Sequence, residues 1–299
     1  MKRILLAAAF ALPFTLGCSA ATRVVATEVV ATASGTTYAE DDDPELVRAA
    51  VPFGLKTMEG LLEDRPRHEG LLTTLASGFT QYGYAFVQED ADEAELDGKV
   101  ALARGLRARA KRLFLRARDY GLRGLEVRHK GLEARLRGVR DLAPALLPLE
   151  KDDLPLVYWT AVAWALAIAD GKDDMGLVAQ LPAPEALMQR ALAIDESYDE
   201  GSIHEFFLTF DAARGGGDPA AAKVHLDRAL ALSHGEKLGP LVAYAESVSV
   251  PRQDRAEFTR LLEQVLAFDV EAEKTHRLAN VLAQRRARFL LAHADDLFS

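Results

Sequence analysis

Three stretches decide how this chain folds: Arg190-Ala191-Leu192-Ala193-Ile194-Asp195, Arg228-Ala229-Leu230-Ala231-Leu232-Ser233 and Gln264-Val265-Leu266-Ala267-Phe268-Asp269. The second comes 38 residues after the first, and the third comes 36 residues after the second. Arg116-Ala117-Arg118-Asp119 lies 74 residues before Arg190, about two such periods. An apolar helix end of the form ALxLD at this spacing is the mark of tetratricopeptide-like helical hairpins. A single hairpin cannot bury its apolar face, so hairpins stack into a superhelix with a concave surface. The expected class is therefore all-α.

The rest of the chain agrees with this reading. Ala, Leu, Arg and Glu dominate, and β-branched residues thin out after position 50, which favours helix. Helices are expected near 44–63, 68–90, 91–121, 123–139, 154–169, 183–194, 198–213, 218–233, 239–249, 252–268 and 271–297. Breakers fall between them: Arg65-Pro66, Gly171, Pro182, Pro184, Gly215-Gly216-Gly217, Gly239-Pro240 and Pro251. Asp43 reads as an N-cap, with Pro44 at the first helical position, and Pro52 should kink the first helix. No alternating strand pattern is found beyond position 40.

The first 20 residues, MKRILLAAAFALPFTLGCSA, read as an export signal. Lys2 and Arg3 precede an apolar run, Ile4 to Leu16, too short for a permanent span. The run ends in Leu16-Gly17-Cys18, a small residue before cysteine as in a lipobox, although Thr15 stands where an aliphatic residue is usual. Cys18 is the sole cysteine and sits where lipidation needs one; the competing reading is an ordinary signal cut after Ala20 or Ala21. The expected organisation is a signal peptide at 1–17, a tether from the lipidated Cys18 to residue 40, and one all-helical domain at 41–299, on the periplasmic side of an envelope membrane. With one cysteine there is no internal disulfide, so packing alone stabilises the core.

Net charge is −9, unevenly spread. From Arg104 to Arg140 there are 13 Lys/Arg against Asp119, Glu126 and Glu133, a local +10 that leaves −19 elsewhere. Such a run is either a solvated helix face or a docking surface for an acidic partner, with Arg128, Arg135 and Arg137 as docking candidates. Nucleic acid is not expected as a partner of an exported chain.

No catalytic pattern is present in the sequence. Gly98-Lys99 and Gly171-Lys172 lack the upstream glycine of a phosphate loop. The seven histidines form no HExxH, and no GxSxG elbow occurs. His204-Glu205, with Phe206-Phe207 directly after it, reads as repeat packing. Neither enzymatic activity, nor a metal, nor a cofactor is expected. Two aromatic clusters stand out instead: Gln81-Tyr82-Gly83-Tyr84-Ala85-Phe86-Val87-Gln88, and Tyr158-Trp159 with Trp164 among Ala161, Ala163, Ala165 and Ala167. They form either an ordinary core or the wall of an apolar channel. For a channel the wall candidates are Tyr82, Tyr84, Trp159 and Trp164, with Lys56, Gln81, Gln88 and Asn280 as the polar groups beside it.

With these residues the chain resembles the TatT family, tetratricopeptide-containing periplasmic lipoproteins associated with tripartite ATP-independent periplasmic (TRAP) transporters. The matching stretches are DDPELV (42–47), PFGLKTME (52–59), QYGYAFV (81–87), RLFLRARDYGL (112–122), YWTA (158–161), DESYDEG (195–201), YAE (244–246) and RLANVLAQ (277–284). They stand in order along almost the whole mature chain. The resemblance implies a homotrimer with a pore through each protomer. It also implies engagement of the solute-binding component of the transporter and passage of a small organic or apolar ligand. A scaffold for envelope or outer-membrane protein assembly is the alternative; it would need an exposed groove and a filled core.

Overall fold

The computed structural model describes residues 38–213 and 218–298. The signal segment, Cys18, most of the tether and Gly215-Gly216-Gly217 lie outside the described residues. Among those described, no strand occurs and the chain is all-α.

Helix α1 (Pro44–Asp64) starts where expected: the Asp43 carboxylate accepts from the amides of Glu45 and Leu46 at 3.1 and 3.0 Å. It continues through Pro52 as one element. Helix α2 (Glu69–Tyr82) passes without a break through a π segment, π1 (Gly83–Gln88), into α3 (Glu89–Leu96). Gly98, at φ +73°, ends this rod, with Lys99 N–H donating to Ala94 O at 2.8 Å in the manner of a left-handed C-cap.

Two expected helices, 91–121 and 123–139, are replaced by the single helix α4 (Val100–Arg128) and a short α5 (Leu132–Gly138). Gly121 and Gly124 do not break α4. They are points of close approach to α7 (Leu154–Ala169): a Cβ at Gly121 would meet Thr160 Oγ1 at 2.1 Å, and one at Gly124 would meet Leu156 Cδ2 at 2.5 Å. The Arg116–Asp119 echo of the repeat accordingly falls inside a helix, not at its end. Helix α7 is apolar nearly all round and buried along most of its length, so it forms the centre of the first core with Phe114, Leu122, Trp164 and Leu187.

Short helices α6 (Leu142–Leu146) and α8 (Met175–Val178) were not expected. The second half continues as α9 (Pro182–Ile194), α10 (Ser202–Ala213), α11 (Pro219–Leu232), α12 (Gly239–Tyr244) running into a second π segment, π2 (Ala245–Ser249), then α13 (Arg255–Ala267), α14 (Arg277–Ala292) and α15 (Ala294–Leu297). The three repeated stretches end α9, α11 and α13. One period is therefore two helices, and α10, α12 and α14 are their partners. A second core forms here around Phe258, Leu241 and Leu262.

The two ends of the domain meet. Arg277 and Arg285 on α14 reach Asp42 and Glu45 beside and on α1, each at 2.8 Å. Arg286 reaches Glu89 on α3 at 3.3 Å, and His293 reaches Asp97 at 3.4 Å. The succession of helices thus closes into a circuit. The Arg285–Glu45 pair is exposed and contributes little energy; Arg286 is buried and carries more of the closure.

Candidate functional site

The two π segments set the inward-facing side chains. A π turn adds one residue to a turn of α-helix and rotates the side chains beyond it, and such turns concentrate at functional sites. In π1, Gly83 lets the rod approach α4: a Cβ there would lie 2.8 Å from Phe114 Cε1. The next residue, Tyr84, keeps 46% of its surface open. Yet its hydroxyl is held well above the usual tyrosine range, first by burial and then by the carboxylates of Glu89, Glu246 and Glu205, with Arg286 opposing. Tyr84 is thus open on one side while charged groups of α3, α10, π2 and α14 act on its hydroxyl.

Arg286 is the hub of one side. Its Nε donates to Glu246 Oε1 at 3.1 Å and lies 3.3 Å from Glu89 Oε2, its Nη2 also donates to Glu246, and its Nη1 is buried without a hydrogen-bond partner. One guanidinium serves two carboxylates, with Asp92 close by. Burial pushes Glu89 up to about 8, Arg286 opposes this, and Glu246 and Asp92 add to it. Glu89 therefore holds a proton at neutral pH. Burial also raises Asp92, although Arg107 pairs with it at 2.7 Å.

The other side is aromatic. Tyr158 packs against Trp159 at 5.0 Å and Tyr198 at 5.4 Å between ring centroids. Burial, then Glu205 and Asp199, raise the Tyr158 hydroxyl far above its ordinary value. Glu205 contributes to the raised hydroxyls of both Tyr84 and Tyr158. Its own carboxyl is raised by burial, with Lys237 opposing. It rests against Gly239, where a Cβ would lie 2.6 Å from Glu205 Oε1. The Gly239-Pro240 helix start thus also makes room for a carboxylate.

The residues singled out from sequence fall in different places. Tyr84 is half open, and Trp159 packs edge-on against Tyr158. Gln88 is half-buried, and its Oε1 is buried with no hydrogen-bond partner. Tyr82 is half-buried against Phe86 at 5.6 Å. Trp164 is fully buried in the first core, its Nε1 donating to Gln180 Oε1 at 3.1 Å and Arg118 lying over its ring. Asn280 is buried as a brace, accepting from Leu238 N–H at 3.1 Å and donating to Glu236 O at 2.8 Å. Lys56 is exposed and pairs with Glu59, and Gln81 is exposed. Trp164 and Asn280 are therefore scaffold and not wall. Sequence reasoning missed Glu89, Glu205, Glu246 and Arg286, because no period or motif aims them inward.

The basic segment is partly neutralised by its neighbours. Arg128 pairs with Glu69 at 2.7 Å and lies 3.6 Å from Asp153; Arg137 pairs with Asp119 and Glu133, each at 2.8 Å. Arg135 is exposed. A groove on this face, lined by Pro66, Arg67, Arg123, Val127 and Lys130, includes none of the channel candidates.

Fold and contacts together define an all-α protein of paired helices whose last long helix returns to the first. The profile of the TRAP transporter T-component family matches residues 40–298, and the chain belongs to that family. An uncharacterized protein of Treponema pallidum (strain Nichols) is 30% identical over 272 residues, covering 87% of this chain and 82% of the relative. Among the described residues, no helix is long and apolar enough to cross a membrane.

Proposed function

We propose that this protein is the lipid-anchored, periplasmic accessory component of a TRAP transporter, which binds the solute-binding component and hands a small organic ligand through its enclosed interior. The observation that carries this reading is that α14 closes onto α1 and α3 while Tyr84, inside the circuit, keeps 46% of its surface open. A scaffold with a filled core has no use for such a space. By resemblance, three protomers assemble.

Docking is assigned to the basic face. Because Arg128 and Arg137 brace the fold, the clean test is Arg135→Glu. It is expected to slow association with the transporter's solute-binding component several-fold at low salt, with little change in thermal midpoint. Equal rates for the variant and the parent would reject this face. Anchoring is assigned to Cys18. Each acyl CH₂ buried in the bilayer contributes about 0.8 kcal/mol, so loss of the lipid is decisive. Cys18→Ser should move the protein from membranes to the soluble fraction; a variant that still pellets after a salt wash would refute the anchor.

A further inference from the structure

Two imidazoles join α10 to α11. His204 Nδ1 on α10 lies 2.9 Å from His225 Nδ1 on α11, with the ring centroids 5.1 Å apart. His204 is buried, at 6% exposure, and Phe207 stacks on the His225 ring at 5.4 Å. Three charged groups face the pair. Glu196, in the turn after α9, holds its Oε2 3.4 Å from His204 Nε2. Asp211, on α10, holds its Oδ2 3.8 Å from His225 Nε2. Arg228, on α11, is taken up by Glu196 at 3.2 Å.

These distances fix how many protons the pair can hold. A nitrogen-to-nitrogen contact of this length is a hydrogen bond, so exactly one proton sits in it. The Glu196 carboxylate only accepts, so His204 Nε2 carries a proton. A neutral His204 is then unprotonated at Nδ1 and accepts from His225 Nδ1–H. That leaves His225 Nε2 unprotonated, facing the Asp211 carboxylate. The neutral pair thus offers two N–H groups to three acceptors: Glu196, the partner ring and Asp211. A third proton, at His225 Nε2, fills the last place and leaves the bridge intact. A fourth can enter only at the bridge, where two N–H groups would then point at each other.

Burial sets the pH range. It lowers both rings below the usual imidazole value; His225 adds to this at His204, Glu196 opposes it there, and Asp211 opposes it at His225. The pair is therefore neutral at neutral pH. An unfolded histidine takes up its proton near about pH 6.5, so below that the unfolded chain binds more protons than the fold, and stability falls with acid.

We propose that His204 and His225 form an acid latch between α10 and α11, which stays closed while the pair is neutral or singly protonated and parts when the second proton enters.

The test is NMR of the mature protein with isotope-labelled histidine. Each ring is assigned by its loss in His204→Gln or His225→Gln or, should a variant not fold, by contacts of the His225 ring to Phe207. At neutral pH His204 should be the Nε2–H tautomer and His225 the Nδ1–H tautomer, which the ring nitrogen shifts distinguish. Acidification should add one proton to the pair with both helices intact. The second should enter only as amide protection of α10 and α11 is lost. Asp211→Asn removes the acceptor facing His225 Nε2, so it should weaken uptake of the first proton several-fold and leave the neutral tautomers unchanged. Two Nε2–H rings at neutral pH would overturn the latch. So would two independent titrations near about pH 6.5 with the helices intact, or an Asp211→Asn variant that titrates like the parent.

Discussion

Trp164→Ala is expected to destabilise the protein by roughly 3–5 kcal/mol, while Tyr84→Ala should cost about 1 kcal/mol or less. The two residues look alike in the sequence, each an aromatic among small neighbours. In the structure they are opposites. Trp164 is fully buried in the core around α7, donates to Gln180 and lies under the Arg118 guanidinium. Truncation leaves a cavity, an unpartnered buried amide and an arginine without its ring. Tyr84 already borders open space, so removing its ring enlarges a void that exists. Chemical denaturation of both variants measures this. Comparable losses would show that Tyr84 belongs to a packed core and that the circuit is filled.

Arg286→Met should lower the thermal midpoint by about 10 °C at neutral pH, from a loss of roughly 3–5 kcal/mol. Arg286 joins α14 to Glu246 on π2 and Glu89 on α3; without it the Glu246 carboxylate loses its cation, and Glu89 loses one as it ionises toward alkaline pH. The loss should depend on pH, in a direction set by Glu89. Its carboxyl is raised to about 8 in the fold and is ordinary in the unfolded chain. Between the two values the native state holds a proton that the unfolded state does not, so stability falls as pH rises toward about 8. Removing Arg286 lifts Glu89 further, and the fall then continues to higher pH. The gap between variant and parent should therefore be nearly constant from about pH 6 to 7 and larger at about pH 9. A pH-independent gap, or one that narrows on going alkaline, would show that Arg286 acts through packing against Phe289 and not as the counter-charge.

Much of the scaffold is legible without any coordinates. The Asp43-Pro44 start of α1 is local chemistry, a carboxylate within reach of two amides, and it needs no tertiary context. The ends of α9, α11 and α13 are legible because each repeats the same buried stripe. The readings that failed involve glycine. The expected break between 121 and 123 is absent: Gly121 and Gly124 sit inside α4, because the packing of α7 against a side-chain-free stripe outweighs the roughly 1 kcal/mol helix cost of each. Gly98, at φ +73°, ends the rod, and Gly131, at φ +83°, starts α5. The same residue type has both uses, and only the neighbour across the interface distinguishes them.

The sequence by itself determined an all-helical chain, the two-helix period of its second half and the family. The first two rest on local propensity or on patterns repeated along the chain, and the family rests on the resemblance of ordered stretches. Only the tertiary structure decided that Trp164 is buried while Tyr84 stays open, and that Arg286 gathers Glu89 and Glu246. Glu89, Glu205, Glu246 and Arg286 lie 40 to 116 residues apart from one to the next, and each looks like a solvated surface charge within its own helix. Closure of α14 onto α1 and α3 brings Arg286 to Glu89 and Glu246. Their shifted protonation comes from shared desolvation, which no single segment carries.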